Sequence, residues 1–573
     1  MKELFCKKAA EVLEGISEEQ LLALLEVPAD EAMGDYAIPC FTLAKEQRRS
    51  PAVIAAEFRE ILSGKKEELS VSRVENVGGY CNIFVDRAKF AEKCFTKLIQ
   101  QNHGFADYGA GGVICMDYSS PNIAKNFHAG HLRTTIIGNS LYKIFTKLGY
   151  SVVRINYLGD WGTQFGKLIT AYQKWSSRET VEERGIDELL ELYVKLNAEA
   201  EKSPELIEEA RAWFIRMEQN DEEALAIWNW FREISMQEFE RVYKMLDISF
   251  DTCVGESFYR EKVPALIEEL RRKNLLEESQ GALVVNLDAY NMPPCLITKS
   301  DGGSIYHSRD IAAVLDRKKT YGFEKCLYVT GAEQALHFKQ VFQTVELMGY
   351  SWADELIHVP FGLVSLDGEK LSSRKGNVIY AEDILKEAVE RAMEQIQKKN
   401  PSLADKEATA DQVGVGAVIF HDLYNQRIKN VDFSWEEVLN FEGNTGPYVQ
   451  YTYARAKSIL RKAGNCVKPA IRPLNALNKV NYHMLTDDVA FSLIKILSEY
   501  EDTVTSAARN YEPSVIARYL ITLASAFNHF YHEVSILQAA EEEKDARILL
   551  VAVVQDIIAD ACGLLGMKCP EEM

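Results

Sequence analysis

Between residues 113 and 157 the spacing of apolar positions changes twice. Val113 to Tyr118 is a continuous buried-strand run, and Ser151 to Tyr157 is another. Between them Leu132, Ile136, Ile137, Leu141, Ile144, Phe145 and Leu148 recur at helical spacing on one face. Strand, helix and strand in this order predict a βαβ unit and a parallel sheet. Two more apolar runs, Cys326 to Val329 and Leu356 to Val364, flank a helix containing His337 and Phe338, so the sheet pattern resumes. The interruption, roughly 171–280, is helical and acidic, with LIEEARAWF and ALAIWNWFREISMQEFERVYKML as its clearest periodic stretches. It is expected to be an insertion that splits the sheet into two halves.

On the N-terminal side a helical start leads to the turn Met33-Gly34-Asp35, a helix through Ala44, and a strand over Gly79–Val85. The glycine-rich stretch 107–112 marks a boundary. From Ala381 onward the spacing is helical, with a Pro/Asn-rich joint at 468–478 and last helices over 487–510, 513–538 and 541–565. The expected organisation is a small α/β domain (1–108), a split parallel-sheet domain (109–380), a helical linker (381–480) and an all-α C-terminal domain (481–573).

Composition narrows the class. Of the 573 residues, 47% are apolar and 26% charged, which excludes a disordered or disulfide-stapled chain. No apolar run is read as the ~18–20 residues needed to cross a bilayer. The N-terminus, MKELFCKKAAEVLEG, reads as an amphipathic helix and not as a signal peptide. A cytoplasmic protein, away from any membrane, is expected. The eleven cysteines include no CxxC pair and sit singly in apolar stretches, as Cys115 and Cys326 do, so structural thiols and no zinc are expected.

The net charge of −20 argues against indiscriminate polyanion binding. Residues 441–485 depart from it, with seven Lys/Arg, among them Arg455, Lys457 and Arg461, against the single acid Glu442. That segment is either a solvated helix surface or an organised basic face.

Two segments carry chemistry. The first, Asp117 to His131, spans the end of the first strand and the start of the first helix, where open parallel sheets bind ligands. His128 and His131 at a helix N-terminus can both face a phosphate, and Gly130 between them permits close approach. The second, Asp367 to Asn377, holds Lys370, Ser372, Ser373, Arg374 and Lys375 before a glycine. Such a basic hydroxyl-rich loop can close over a triphosphate and neutralise departing diphosphate.

These segments resemble the HIGH and KMSKS elements of class I aminoacyl-tRNA synthetases. Within that class the chain is similar to the arginyl-tRNA synthetases, through SSPNIAKNFHAGHLRTTIIGNSL, NYLGDWGTQFG, GGSIYHSRDIAA, GAEQALHFKQVF, FEGNTGPYVQYTYARAKSILR and VIARYLITLASAFNHFY. The resemblance implies a multidomain α/β protein: a split Rossmann-type catalytic domain with a helical insertion, an N-terminal domain that touches the tRNA D-loop, and a C-terminal anticodon-binding domain. It implies ligation of L-arginine to tRNA(Arg) through an adenylate. ATP, carrying Mg²⁺ as its own substrate-borne ion, would be consumed by a monomer.

The resemblance also implies residue roles. His128, His131, Lys370 and Lys125 become catalytic. Lys125 enters because Ser373 stands where KMSKS has its second lysine, and members with that loss carry a lysine before HIGH. Gly130, Ser372, Ser373 and Arg374 would bind ATP. Asp117 (Glu in many members), Asn122, Tyr306, Asp310 and Gln334 would hold arginine, whose planar cation suits carboxylates in fork geometry. Tyr80 and Asn82 would meet the D-loop, and Arg455, Lys457 and Arg461 the tRNA backbone. A catalytically silent relative and a tRNA-independent nucleotidylyltransferase are the competing readings, and neither uses all of these parts.

Overall fold

The computed structural model describes the chain except residues 1, 14–15, 29, 300–302, 304, 367–368, 371–379 and 465–479. The described residues fall into two compact units. One comprises 1–105, 455–503 and 522–558; the other comprises 106–454, 504–521 and 559–573.

In the first unit β1 (Tyr36–Pro39), β2 (Val71–Val77) and β3 (Tyr80–Val85) form an antiparallel sheet in the order β1-β3-β2. The helix Arg87–Leu98 follows, capped by Asp86, whose carboxylate accepts from Lys89 N. N- and C-terminal segments share this unit's core. Phe90 meets Phe491 edge-on at 5.4 Å, and Arg87 Nη1 donates to Thr486 O and Asp488 Oδ1 at 2.7 Å. The helix expected over 487–510 is two helices, Asp488–Ser498 and Tyr500–Asn510.

The second unit is built on β4 (Val113–Asp117) and β5 (Ser151–Ile155). An antiparallel sheet of β6 (Leu276–Ser279), β7 (Ala282–Val285) and β8 (Cys295–Leu296) intervenes in sequence, before β9 (Lys325–Gly331) and β10 (Leu356–Phe361). The central sheet is parallel in the order β10-β9-β4-β5, with Cys115 opposite Cys326 and Val153 in register. Its core gathers Cys115, Ile155, Ile311, Cys326, Val341 and Leu356, all buried. Each such aliphatic side chain contributes about 1.5–3 kcal/mol on burial. Burial pushes both thiols, Cys115 and Cys326, above their ordinary range, which suits packing rather than reactivity.

The helix Ala129–Lys147 crosses close to the strand end. A Cβ at Gly138 would lie 2.2 Å from Tyr118 Cγ, so glycine is what lets helix and strand approach. The interruption is mainly helical as far as Arg272, through Thr163–Trp175, Arg178–Arg184, Ile186–Ala200, Glu205–Glu218, Glu222–Leu246 and Val263–Arg272. Beyond it the chain enters the β6–β8 sheet. The run Leu356–Val364 is also two strands: β10 stops at Gly362, whose N–H donates to Arg427 O at 2.8 Å. After it come β11 (Val364–Leu366), β12 (Glu369–Lys370) and, inside the helical region, β13 (Val431–Phe433), in the order β12-β11-β13. The helix Glu541–Leu565 contains an 18-residue window of mean hydropathy 2.1, long enough by length alone to cross a membrane. Burial of 78% of that window identifies a core helix.

Candidate active site

A cavity of about 600 Å³ opens at the C-terminal ends of β4 and β9, lined from the loop after β4, the start of helix 129–147, and the helices Tyr306–Tyr321 and Ala335–Leu347. Asp117, Asn122, His128, Gly130, His131, Tyr306, Asp310 and Gln334 all line it.

The histidines are organised by main-chain donors. Gly130 N–H donates to His128 Nδ1 at 3.1 Å, and His128 N–H donates to His131 Nδ1 at 3.3 Å. With both Nδ1 atoms accepting, each neutral ring carries its proton on Nε2. The rings stack at 3.9 Å. Burial first, then the charge of Lys125, lowers His128; burial, His128 and Lys125 take His131 well below the ordinary histidine range. The pair is therefore two uncharged N–H donors facing one cavity. Lys125 stands near enough to act on both rings, although it does not line the cavity.

The connecting loop holds Ser119, Ser120 and Ala124 at φ of 69°, 45° and 57°, a left-handed conformation that non-glycine residues adopt at a cost of about 1–3 kcal/mol each. Side chains from elsewhere over-determine it. Ser120 Oγ donates to Asp117 Oδ1 at 2.7 Å, and Ser120 N–H to Asn156 Oδ1 at 3.1 Å. From the inserted helix Glu222–Leu246, Ser235 Oγ accepts from Ala124 N at 2.9 Å, Glu238 Oε1 from Phe127 N at 3.3 Å, and Tyr243 OH meets Ser119 Oγ at 2.8 Å. Asn122 packs so tightly on Gly159 that a Cβ there would lie 1.9 Å from Asn122 Oδ1.

The acids at the other side are unequal. Asp117 accepts from Arg317 Nη2 at 2.7 Å, and Glu256 pairs with Arg309 Nη2 at 2.8 Å. All four side chains are almost wholly buried. Asp310 instead meets His337 Nε2 at 2.6 Å. Tyr306, one turn before Asp310, is exposed, and Arg309 lies over its ring at 5.2 Å. Glu256, Arg309, Arg317 and His337 escape sequence reasoning. Arg309 reads as a surface neighbour of Asp310, and Glu256 sits on a four-residue helix with no motif around it. Glu256 within VGESF stands beside small residues and His337 within LHF between two large apolar ones, and neither pattern is a motif.

Of the basic loop, Ser372, Ser373 and Arg374 lie outside the described residues. Lys370 closes the hairpin, with Ser365 opposite it in register. The hairpin grows from Leu363 and Val364, both cavity-lining.

The expected RNA contacts lie in the other unit. Tyr80 is exposed and meets Phe41 edge-on at 5.2 Å. Asn82, on the same strand face, is only 3% exposed, with Nδ2 3.9 Å from Met33 Sδ, so the pair is not an open aromatic beside an open amide. On the helix Gly446–Lys462, Arg455 is half-buried, donating to Asn528 Oδ1 with its guanidinium 5.1 Å over the Tyr531 ring. Lys457 is half-buried and Arg461 exposed.

Comparison with known proteins agrees along the whole chain. The class I (R) tRNA synthetase catalytic-domain model matches residues 96–435, the arginyl tRNA synthetase N terminal domain residues 2–85, and the DALR anticodon binding domain residues 449–573. The chain is 47% identical to the arginine–tRNA ligase of Alkaliphilus metalliredigens, over 99% of this chain and 100% of that one. It is likewise 47% identical to that of Clostridioides difficile over 98% of each. Among solved structures, the Thermus thermophilus arginyl-tRNA synthetase aligns over 100% of this chain and 99% of its own, at a TM-score of 0.80 and 26% identity. With three family domains in order on a split parallel sheet, the chain belongs to the arginyl-tRNA synthetases of class I.

Proposed function

We propose that the chain ligates L-arginine to tRNA(Arg) through an arginyl-adenylate formed in the 600 Å³ cavity. The arginine carboxylate attacks the α-phosphorus of ATP, the bond to the bridging oxygen breaks, and diphosphate leaves. The terminal ribose hydroxyl of tRNA then attacks the acyl carbon, and AMP departs. Phosphoryl transfer of this kind asks the protein for alignment and charge compensation, with no covalent step of its own.

In this reading the Nε2–H groups of His128 and His131 donate to the α-phosphate, and Gly130 lets it approach the main chain. Lys125 adds charge beside them. Lys370, Ser372, Ser373 and Arg374 hold the diphosphate, and Mg²⁺ arrives on ATP. Asp310, with Glu256 beside it, meets the guanidinium, while Tyr306, Asn122, Gln334 and Asp117 border the arginine. Tyr80 and Asn82 belong to the D-loop surface, and Arg455, Lys457 and Arg461 to the tRNA backbone surface. The functional modules are 1–108, 109–380, 381–480 and 481–573. The enzyme works as a cytoplasmic monomer.

One observation carries the reading: the residues expected for arginine and those expected for the α-phosphate line the same cavity. Aminoacylation of total tRNA with each of twenty labelled amino acids tests it. Only arginine should be charged, and any other product sinks the specificity.

A further inference from the structure

Charge bookkeeping around the cavity singles out one acid. Asp117 is matched by Arg317 at 2.7 Å and Glu256 by Arg309 at 2.8 Å, each pair buried. Glu333 stands exposed at the rim. Asp310 is different, because its described partner is the His337 ring, Nε2 to Oδ2 at 2.6 Å. A carboxylate can only accept here, so His337 Nε2 donates.

The imidazole is held by a layer behind it. His307 packs on it at 4.5 Å between ring centres, and Phe338 follows it in the chain, stacked in turn on His358 at 4.9 Å. His307 Nε2 meets Gln340 Oε1 at 3.2 Å. The Gln340 amide cannot be turned round, because its Nε2 already donates to Pro293 O at 2.9 Å and Pro294 O at 3.1 Å. Its Oε1 must therefore accept, and His307 must donate. The groups facing His337 are Asp310 and His307 from one helix, and His358 from β10. Burial lowers His307 and takes His358 down to about 4, so this layer brings no positive charge to the site.

We propose that His337 is a positioning residue for arginine recognition. Its Nε2–H donates to one oxygen of Asp310 and leaves the other, in fixed orientation, as the lining carboxylate oxygen that, among the described residues, no arginine meets. A carboxylate oxygen held in place without an arginine partner is what an incoming guanidinium requires. The proposal rests on the reading that Asp310 receives the guanidinium, and goes beyond it by assigning how the carboxylate is aimed.

The test is steady-state aminoacylation of tRNA(Arg) by the full-length chain, comparing His337→Gln, His337→Asn, His337→Leu and Asp310→Asn. The glutamine amide reaches the place of the lost Nε2–H, whereas asparagine is one methylene short. Losing a hydrogen bond to a charged group should raise the arginine KM about 10- to 100-fold in the Leu and Asn variants. The Gln variant should stay within about threefold, and the KM for ATP should stay unchanged throughout. Should the Leu variant fail to fold, the Asn/Gln split still decides, since it reads reach and not polarity. Equal arginine KM values for Asn, Gln and the parent overturn the role, as does an ATP KM rising in step. An Asp310→Asn variant with unchanged arginine KM overturns the reading beneath it. A raised value there, with the His337 variants silent, removes His337 alone.

Discussion

Arg309 Nη2 lies 2.8 Å from Glu256 Oε2, with the two side chains only 5% and 8% exposed. Even so, burial pushes the Glu256 carboxyl up to about 8, with Asp310 and Asp160 adding to the shift and Arg309 opposing it. A guanidinium arriving beside it favours the ionised form, so arginine binding expels a proton below that pH. The arginine KM should fall as pH rises towards about 8 and level off above it. Calorimetry in buffers of different ionisation enthalpy reads the released proton, and Glu256→Gln should abolish it. For folding, a raised carboxyl adds stability fully present below its unfolded value, and this is lost as pH climbs towards about 8.

Gly159→Ala separates packing from chemistry. The new Cβ would lie 1.9 Å from Asn122 Oδ1, 2.9 Å from its Cγ and 3.3 Å from its Cα, so the side chain must swing away and the main chain give slightly. The melting temperature should fall by a few degrees, because the main-chain shift needed at Asn122 is a few tenths of an ångström. Its arginine KM should rise, because the displaced amide belongs to the cavity wall. A normal KM would remove Asn122 from the arginine contacts.

Lys125→Ala should slow adenylate formation by about 10²–10³-fold, the usual loss for one preorganised group at a transferring phosphate. Adding Ser373→Lys in that background should restore part of the rate if both positions serve the same phosphates. Single-turnover kinetics with tRNA present measures both. A double variant no faster than Lys125→Ala would separate the two sites.

Affinity for tRNA should fall steeply with salt, by roughly −0.7 to −0.9 in log K against log salt for each phosphate contact. On charge count alone, replacing Arg455, Lys457 and Arg461 together by Gln removes three contacts. Arg455, however, already holds Asn528 and covers Tyr531. The slope should therefore flatten by about one to two units, with base choice retained. Filter binding across salt concentrations decides, and an unchanged slope takes this helix off the RNA surface.

The βαβ start, the split sheet and the cavity-lining histidines were legible because each is local: periodicity over a dozen residues, or a motif at a strand end. The β6–β8 sheet was missed because its strands are two to four residues long, too short to show a period beside the helices around them. The break at Gly362 was hidden by apolar neighbours on both sides. The site was legible in Asp310 and Tyr306, one turn apart on one helix. It was not legible in Arg317, which reaches Asp117 from 200 positions away, or in Ser235, 111 positions from its partner Ala124. Such pairings exist only once the sheet has closed.

The inserted helix Glu222–Leu246 supplies three of the partners that keep the strained loop after β4 in place. A minimal enzyme made by splicing the two sheet halves together would leave two main-chain N–H groups without acceptors and take Tyr243 away from the Ser119 hydroxyl. The loop would then relax out of its left-handed turns, carrying the histidines with it. Whatever else those acidic helices do at their outer face, they cannot be trimmed as an ornament, and damage at Ser235 should register as an active-site lesion although no substrate touches it.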